Sequence, residues 1–351
     1  MSFEDSHRIR QYAFECEERS WVRASFDRYV SLPLLALLPR GVHPNVFTFS
    51  GHFANVVAFI LLASFADFAL EDEPVSFRLV ALAAALLLFV SCVMDRVDGL
   101  QARRLRVSNP LGDFYDHGLG ALAGFMIPLG GLAAYGASPG ELMGVTVAFA
   151  FGTWAGTFDR RRTQRLVHPP FGALEIHVLF IAVHLLSVPC GPALWLMRVA
   201  GVGLVDVLVL VTVLSFAYVG VDALARMGRE RRHVLGLGVN VALVGSWFVL
   251  ALARGQHIAV EAVSAQLLLG LVAVKHHWDV LRNVLIGTRY RSWDVPLTGL
   301  LGLWSVSLLI PELSHVEAQE ELLLLLVVWV SASLTWQFLH TTWFARRELG
   351  M

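Results

Sequence analysis

The chain has 351 residues, of which 56% are hydrophobic and only 16% charged, with a mean hydropathy of +0.63. Soluble domains carry about a quarter charged residues, and a soluble helical protein would need polar faces at helical spacing, which stretches such as 75–93 and 322–334 lack. A formal net charge of −1 gives no bulk argument for nucleic-acid binding, and Cys16, Cys92 and Cys190 are too scattered for a disulfide framework or a metal-ligand spacing.

Residues 1–30 are charged and mixed, without the apolar run after a basic start that marks a cleavable signal peptide. Residues 20–38 alternate apolar and basic character around Trp21, Phe26 and Tyr29, which suits a helix lying in the membrane interface. Ten apolar segments follow, at 45–68, 75–94, 112–135, 138–157, 173–190, 202–225, 235–253, 258–276, 295–311 and 321–341. Each is near the roughly 20 residues that cross a bilayer as a helix. The expectation is an all-α polytopic membrane protein of about ten transmembrane helices. It divides into a cytoplasmic segment at 1–40, a six-span catalytic-type core at 41–228 and a four-span bundle at 229–351.

Charge placement supports an even number of spans. Arg78, Arg198 and Arg254 fall in or beside one set of alternate loops. Nearly all other basic residues lie in the opposite set, as in Arg103, Arg104 and Arg106, Arg160 to Arg162 with Arg165, Arg229, Arg231 and Arg232, and Arg346 with Arg347. The positive-inside rule then predicts that both termini are cytoplasmic. The other side is partly acidic, as in Glu71-Asp72-Glu73.

The chemistry concentrates between the second and third segments. Asp95 and Asp98 are three residues apart, as are Asp113 and Asp116, so each pair shares a helix face. A short connection makes the two helices antiparallel neighbours, and the carboxylates converge at one membrane surface. Ionisable groups at such a position are costly and mark function. Clustered carboxylates are hard oxygen ligands for Mg²⁺, Mn²⁺ or Ca²⁺ rather than zinc, and a divalent ion held there could take a diphosphate as its remaining ligand. Gly99, Ala102 and Gly112 would let backbone approach a nucleotide, and Arg103 could neutralise a phosphate. The plainer alternative is that the acids pair with Arg96, Arg103 and Arg104 in a charged loop.

These residues resemble the CDP-alcohol phosphotransferase signature, D-x2-D-G-x2-A-R-x8-G-x3-D-x3-D. Asp95, Asp98, Gly99, Ala102, Arg103, Gly112 and Asp116 match it at every spacing. The texts Gln101-Ala102-Arg103-Arg104, Pro110-Leu111-Gly112-Asp113 and Asp116-His117-Gly118 resemble the choline and ethanolamine phosphotransferase branch, as does Pro44-Asn45-Val46-Phe47-Thr48 before the first segment. The resemblance implies transfer of a phospho-alcohol group from a CDP-alcohol such as CDP-choline or CDP-ethanolamine to a lipid hydroxyl such as that of diacylglycerol, with release of CMP. It also implies a homodimer, with Mg²⁺ or Mn²⁺ held by Asp95, Asp98 and Asp116, and CDP contacts from Gly99, Ala102, Arg103, Gly112 and Asn45.

The signature's last aspartate is replaced by Gly120, which removes a metal ligand and the family's usual base. Arg96 and Leu100 are further departures from that branch. His117 titrates near neutrality and could act as the base, and Asp113 could supply a further oxygen ligand. Gly120 could equally mark a silent member that binds CDP-alcohol or lipid without turnover, or serve helix packing. Elsewhere, Asp159 reads as a solvated pair among arginines, and Glu175, His177 and Asp222 as an acceptor entrance. Lys275, His276 and His277 with Asp279 read as an interfacial anchor. A transporter or scramblase would instead need charges along a path across the bilayer.

Overall fold

The computed structural model describes residues 15–65, 74–227, 233–253, 259–288, 290–310 and 312–350. A short strand β1 (Cys16–Glu18) leads into α1 (Arg23–Phe26), a wider helical turn (Asp27–Ser31) and α2 (Leu32–Leu37). Then come α3 (Pro44–Ser64), α4 (Pro74–Leu105), α5 (Pro110–Ala134), α6 (Pro139–Thr163), β2 (Leu166–His168) and α7 (Ala173–Cys190). The single turn α8 (Ala193–Leu196) and the strand pair β3 (Arg198–Val199) and β4 (Val202–Gly203) precede α9 (Leu204–Met227). The chain continues through α10 (Val234–Ala253), α11 (Ala259–Ile286), α12 (Val295–Ser307) and α13 (Val316–Leu349). The acidic stretch Glu71-Asp72-Glu73, the loop arginines Arg229, Arg231 and Arg232, Arg254 and residues 1–14 lie outside the described residues.

Helix starts follow local chemistry. Pro44, Pro110 and Pro139 each occupy a first helical position, where a missing N–H costs nothing. Asn109 Oδ1 accepts from the Leu111 and Gly112 amides at 3.0 and 2.9 Å, and Ser138 with Glu141 forms a capping box on α6. Every predicted apolar segment coincides with one of the longer helices. Among the described residues, α3, α4, α5, α7, α9, α10 and α13 are each long and apolar enough to cross a bilayer. The protein is therefore a multi-pass helical membrane protein. α6 is less apolar and α12 has only 13 residues. α6 and α11 lie within the bundle, where a helix shielded by protein needs no lipid-compatible surface.

Of the seven candidate spans α5 is the most enclosed: 67% of its apolar window is buried, against 28–44% for the other six. The main apolar core runs from Ala58 on α3 to Ala345 on α13, so the C-terminal helices pack on the same core as the N-terminal ones. α6 approaches α9 so closely that a Cβ on Gly152 would lie 2.5 Å from the Phe216 carbonyl oxygen. The N-terminal segment leaves Trp21, Tyr29 and Leu37 exposed, as an interfacial helix requires, and is fastened to α4. Arg96 donates to both Asp27 oxygens at 3.2 and 2.7 Å, and Arg104 donates to the Leu35 carbonyl at 2.9 Å.

Three expectations are corrected here. The second segment does not end at residue 94: α4 remains helical to Leu105, and the motif stands on continuous helix. Asp159 is not solvated; it is buried and accepts from Arg226 Nε at 2.7 Å, while Asp222 binds the same guanidinium. Lys275, His276 and His277 are not an interfacial anchor. α11 continues past them, and all three are buried. Lys275 pairs with Asp294, His276 meets Asn240 at 2.9 Å, and His277 meets Thr157 at 2.6 Å.

Asp294 also caps α12, accepting from the Leu297 amide at 3.1 Å. Burial alone would raise its carboxyl, but the Lys275 ammonium holds it below the usual carboxylate range. Asp294→Ala strands Lys275 and removes a cap, and is expected to cost on the order of 2 kcal/mol. A carboxyl depressed in the folded state stabilises above its unfolded pKa, and that contribution fades as pH falls through the folded value. Thermal unfolding in detergent is therefore expected to show a constant deficit for Asp294→Ala from pH 8 to 5, shrinking only below about pH 4.

Candidate active site

Two cavities of about 220 and 250 Å³ share Asp98, Gly99, Arg103, Asp116 and His117 in their walls. The larger one also takes in Asn45, Thr48, Ala102, Gly112 and Asp113, and opens at the N-terminus of α5. The other reaches past Asp95 and Gly120 to Glu175, His177 and His52, beneath Ser20 and Arg23 of the N-terminal segment. Every residue nominated from the sequence as a metal ligand, CDP contact or base thus lines one or both of two adjoining spaces. α4 and α5 bring them together through a four-residue connection, where Arg106 adopts a left-handed conformation with φ 56°. The Val107 amide closes the end of α4 on the Ala102 carbonyl at 3.0 Å.

The three motif aspartates are not neutralised by arginine. Arg96 turns to Asp27 and Arg104 to backbone carbonyls, so the charged-loop alternative does not hold for them. Among the described residues, no Lys or Arg forms an ion pair with Asp95, Asp98 or Asp116. Asp98 Oδ2 accepts from Thr48 at 2.5 Å, while its Oδ1 is buried without a hydrogen-bond partner. The Asp95 and Asp116 carboxyls are close enough to share a hydrogen bond. Adjacent carboxylates and an orphaned buried oxygen form a donor set suited to a cation. Its all-oxygen character fits Mg²⁺ or Mn²⁺.

Asp113 stands apart from that set. Both its oxygens accept from Arg160, at 3.0 and 2.5 Å, in a buried fork. His117 Nε2 lies 3.4 Å from Asp113 and 3.9 Å from Asp116. The fork directs Asp113 toward His117 rather than toward Asp95 and Asp98. The His117 carbonyl also contacts His277 Nε2 at 3.2 Å, which ties this turn of α5 to α11.

In the wall of the larger cavity, the Arg103 guanidinium lies over Gly99, with Nη1 3.5 Å from where a Cβ would be. Asn45 Oδ1 lies 3.9 Å from the corresponding point at Gly112. Small residues, the Arg103 guanidinium and the positive end of α5 make a suitable cradle for a diphosphate. Glu175 is buried, holding Ser20, the Val22 amide at 3.3 Å and the Gly172 amide at 2.9 Å. His177 faces the smaller cavity with its Nε2 buried and unpartnered, but Asp222 lies outside both spaces.

Sequence reasoning missed Thr48, His52, Arg160 and His168. Thr48 was visible in the Pro-Asn-x-x-Thr text, and His52 falls one helical turn beyond it on the same face. His168 comes from β2. Burial, with the cations around it, pushes its imidazole down to about 3, so it is neutral at pH 7.

Gly120 has no packing role: a Cβ there would meet no atom within 4 Å, and the position opens into the smaller cavity.

The sequence profile of the CDP-alcohol phosphatidyltransferase family matches residues 41–219, about half of the chain. The chain is 26% identical over 197 residues to cholinephosphotransferase 1 of Xenopus laevis, covering 56% of this chain and 48% of the relative. It is 33% identical over 121 residues to choline/ethanolaminephosphotransferase 1 of Saccharomyces cerevisiae, covering 34% and 30% of the two chains. It is 37% identical over 89 residues to human ethanolaminephosphotransferase 1, covering 24% and 22%. The chain spans about half the length of the first of these relatives.

The two glycine environments make opposite predictions. Gly120→Ala is expected to be neutral or stabilising by up to about 1 kcal/mol, because alanine favours helix and nothing obstructs it. Gly152→Ala is expected to destabilise by about 1–3 kcal/mol, because the Phe216 backbone must move. Parallel thermal unfolding of the two variants checks both.

Proposed function

The chain belongs to the CDP-alcohol phosphatidyltransferase family, and from that premise we propose that it is an integral membrane transferase. It moves a phospho-alcohol head group from CDP-choline or CDP-ethanolamine to a diacylglycerol-like hydroxyl and releases CMP. The single observation carrying this reading is the uncompensated carboxylate set of Asp95, Asp98 and Asp116 at the junction of two cavities. In this reading all ten longer helices span the bilayer with both termini cytoplasmic, and residues 41–228 form the core that residues 229–351 buttress.

Asp95, Asp98 and Asp116 would hold Mg²⁺ or Mn²⁺, which when bound would neutralise the diphosphate of the donor. Asn45, Gly99, Ala102, Arg103 and Gly112 seat the CDP moiety in the larger cavity. The acceptor hydroxyl enters from the Glu175–His177 side. Its oxygen attacks the phosphorus that bears the head-group alcohol, forming a new P–O bond. The P–O bond to the CMP phosphate breaks, and CMP leaves with that electron pair. His117 receives the hydroxyl proton, with Asp113 and Arg160 fixing the imidazole as a carboxylate fixes a general base. This role for His117 stands in for the acid absent at Gly120.

The open position at Gly120 favours a second reading, in which the pocket binds CDP-alcohol without turnover. The deciding experiment measures CMP release and phospholipid formation from CDP-choline and CDP-ethanolamine with diacylglycerol and Mg²⁺ or Mn²⁺. For an active transferase, the parent chain turns over and His117→Ala loses about 10²–10⁴ in rate. If only Gly120→Asp turns over, the parent is a silent member. If neither chain binds a CDP-alcohol, both readings fail.

A further inference from the structure

We propose a second metal site, separate from the aspartate set, formed by Cys16, Glu18 and His168 and suited to zinc. This inference does not rest on transferase activity. The three donor atoms lie within 4.8 Å of one another. β1 and β2 pair in parallel, with Glu18 opposite His168 and Cys16 opposite Leu166. Alternate residues of a strand share a face, so Cys16 and Glu18 project together and His168 is in register beside them. The strand pairing is set by backbone bonds, including the Arg19 amide to the His168 carbonyl at 3.0 Å and the Leu166 amide to the Glu15 carbonyl at 3.0 Å. The ligand geometry is thus imposed by main-chain register rather than by chance approach on a surface.

The donor chemistry differs from that of Asp95, Asp98 and Asp116. One sulfur, one imidazole nitrogen and one carboxylate oxygen are the ligand types of zinc, while Mg²⁺ takes oxygen alone. Tetrahedral zinc places its ligand atoms about 3.3–3.8 Å apart, so the trio closes on an ion by side-chain rotation. Cys16 and Glu18 are exposed and His168 is half-buried, which gives an ion access from water and leaves a fourth position open.

Glu18 now pairs with Arg23 and accepts from the Ser20 amide at 2.9 Å. A bound cation replaces Arg23 on this carboxylate, and Arg23 has Asp27 at 4.0 Å as a second partner. Arg23 and His168 both line the smaller cavity, so the ion sits at its rim and joins the N-terminal segment to the loop after α6.

The test uses the full-length, tag-free protein in detergent, with excess Mg²⁺ to fill hard oxygen sites and Co²⁺ as the probe. One equivalent of Co²⁺ is expected to give a sulfur-to-cobalt charge-transfer band that Zn²⁺ displaces. Cys16→Ser is expected to abolish the band, and His168→Ala and Glu18→Gln to weaken zinc binding about tenfold or more. Cys92→Ser and Cys190→Ser keep the band. Absence of the band in the parent, its survival in Cys16→Ser, or equal zinc affinity across the parent, His168→Ala and Glu18→Gln overturns the proposal.

Discussion

A carboxylate removed from water needs a counter-charge, and the arrangement of this bundle follows from how each buried acid obtains one. Asp113 has Arg160, Asp159 has Arg226, Asp294 has Lys275, and Asp27 at the protein's edge has Arg96. These pairs join α5 to α6, α6 to α9, and the N-terminal segment to α4. Breaking such a pair costs far more than the pair itself contributes, because one charge is left stranded. Glu175 takes hydroxyl and amide donors instead, whereas Asp95, Asp98 and Asp116 have no lysine or arginine pair among the described residues. Arg96 and Arg104 on α4 are engaged elsewhere, and among the described residues Arg103 forms no ion pair with these acids, so the site keeps a surplus of negative charge. A folded protein tolerates such a surplus where ligand binding resolves it.

The spacing of the motif acids was legible in the sequence because it is a local property. Three-residue intervals put Asp95 with Asp98 and Asp113 with Asp116 on shared helix faces, and the short connection made their helices neighbours. The ten apolar segments were legible for the same reason. Pairings between distant residues were not. Nothing near Asp113 in the chain announces Arg160, and Asp159 among three arginines reads as solvated until Arg226 is seen to claim it. Lys275, His276 and His277 followed an apolar run and so read as its end. α11 continues because Asp294, Asn240 and Thr157 come to meet them from three other elements. Cys16 belonged to no spacing pattern because its neighbours Glu18 and His168 are brought together by strand pairing.

Gly120 shows how a single absence can be weighed structurally. Had it been selected for close helix packing, a neighbour would fill the space a side chain would take, as Phe216 does at Gly152. The space is empty and faces the cavity. A side chain at position 120 would therefore extend into the cavity without disturbing the helix packing, and the surrounding shape admits one.

The β1–β2 pairing also bears on the order in which the protein is assembled. β1 leaves the ribosome well before its partner at residues 166–168, which follows four long helices. Through the synthesis and insertion of those helices, the N-terminal segment has no strand to pair with and Glu175 is not yet present to hold Ser20. The cover over the smaller cavity is thus laid down only after α3 to α6 are in place. A nascent chain arrested before residue 166 would expose residues 16–18 to proteases, and one arrested beyond α7 would protect them.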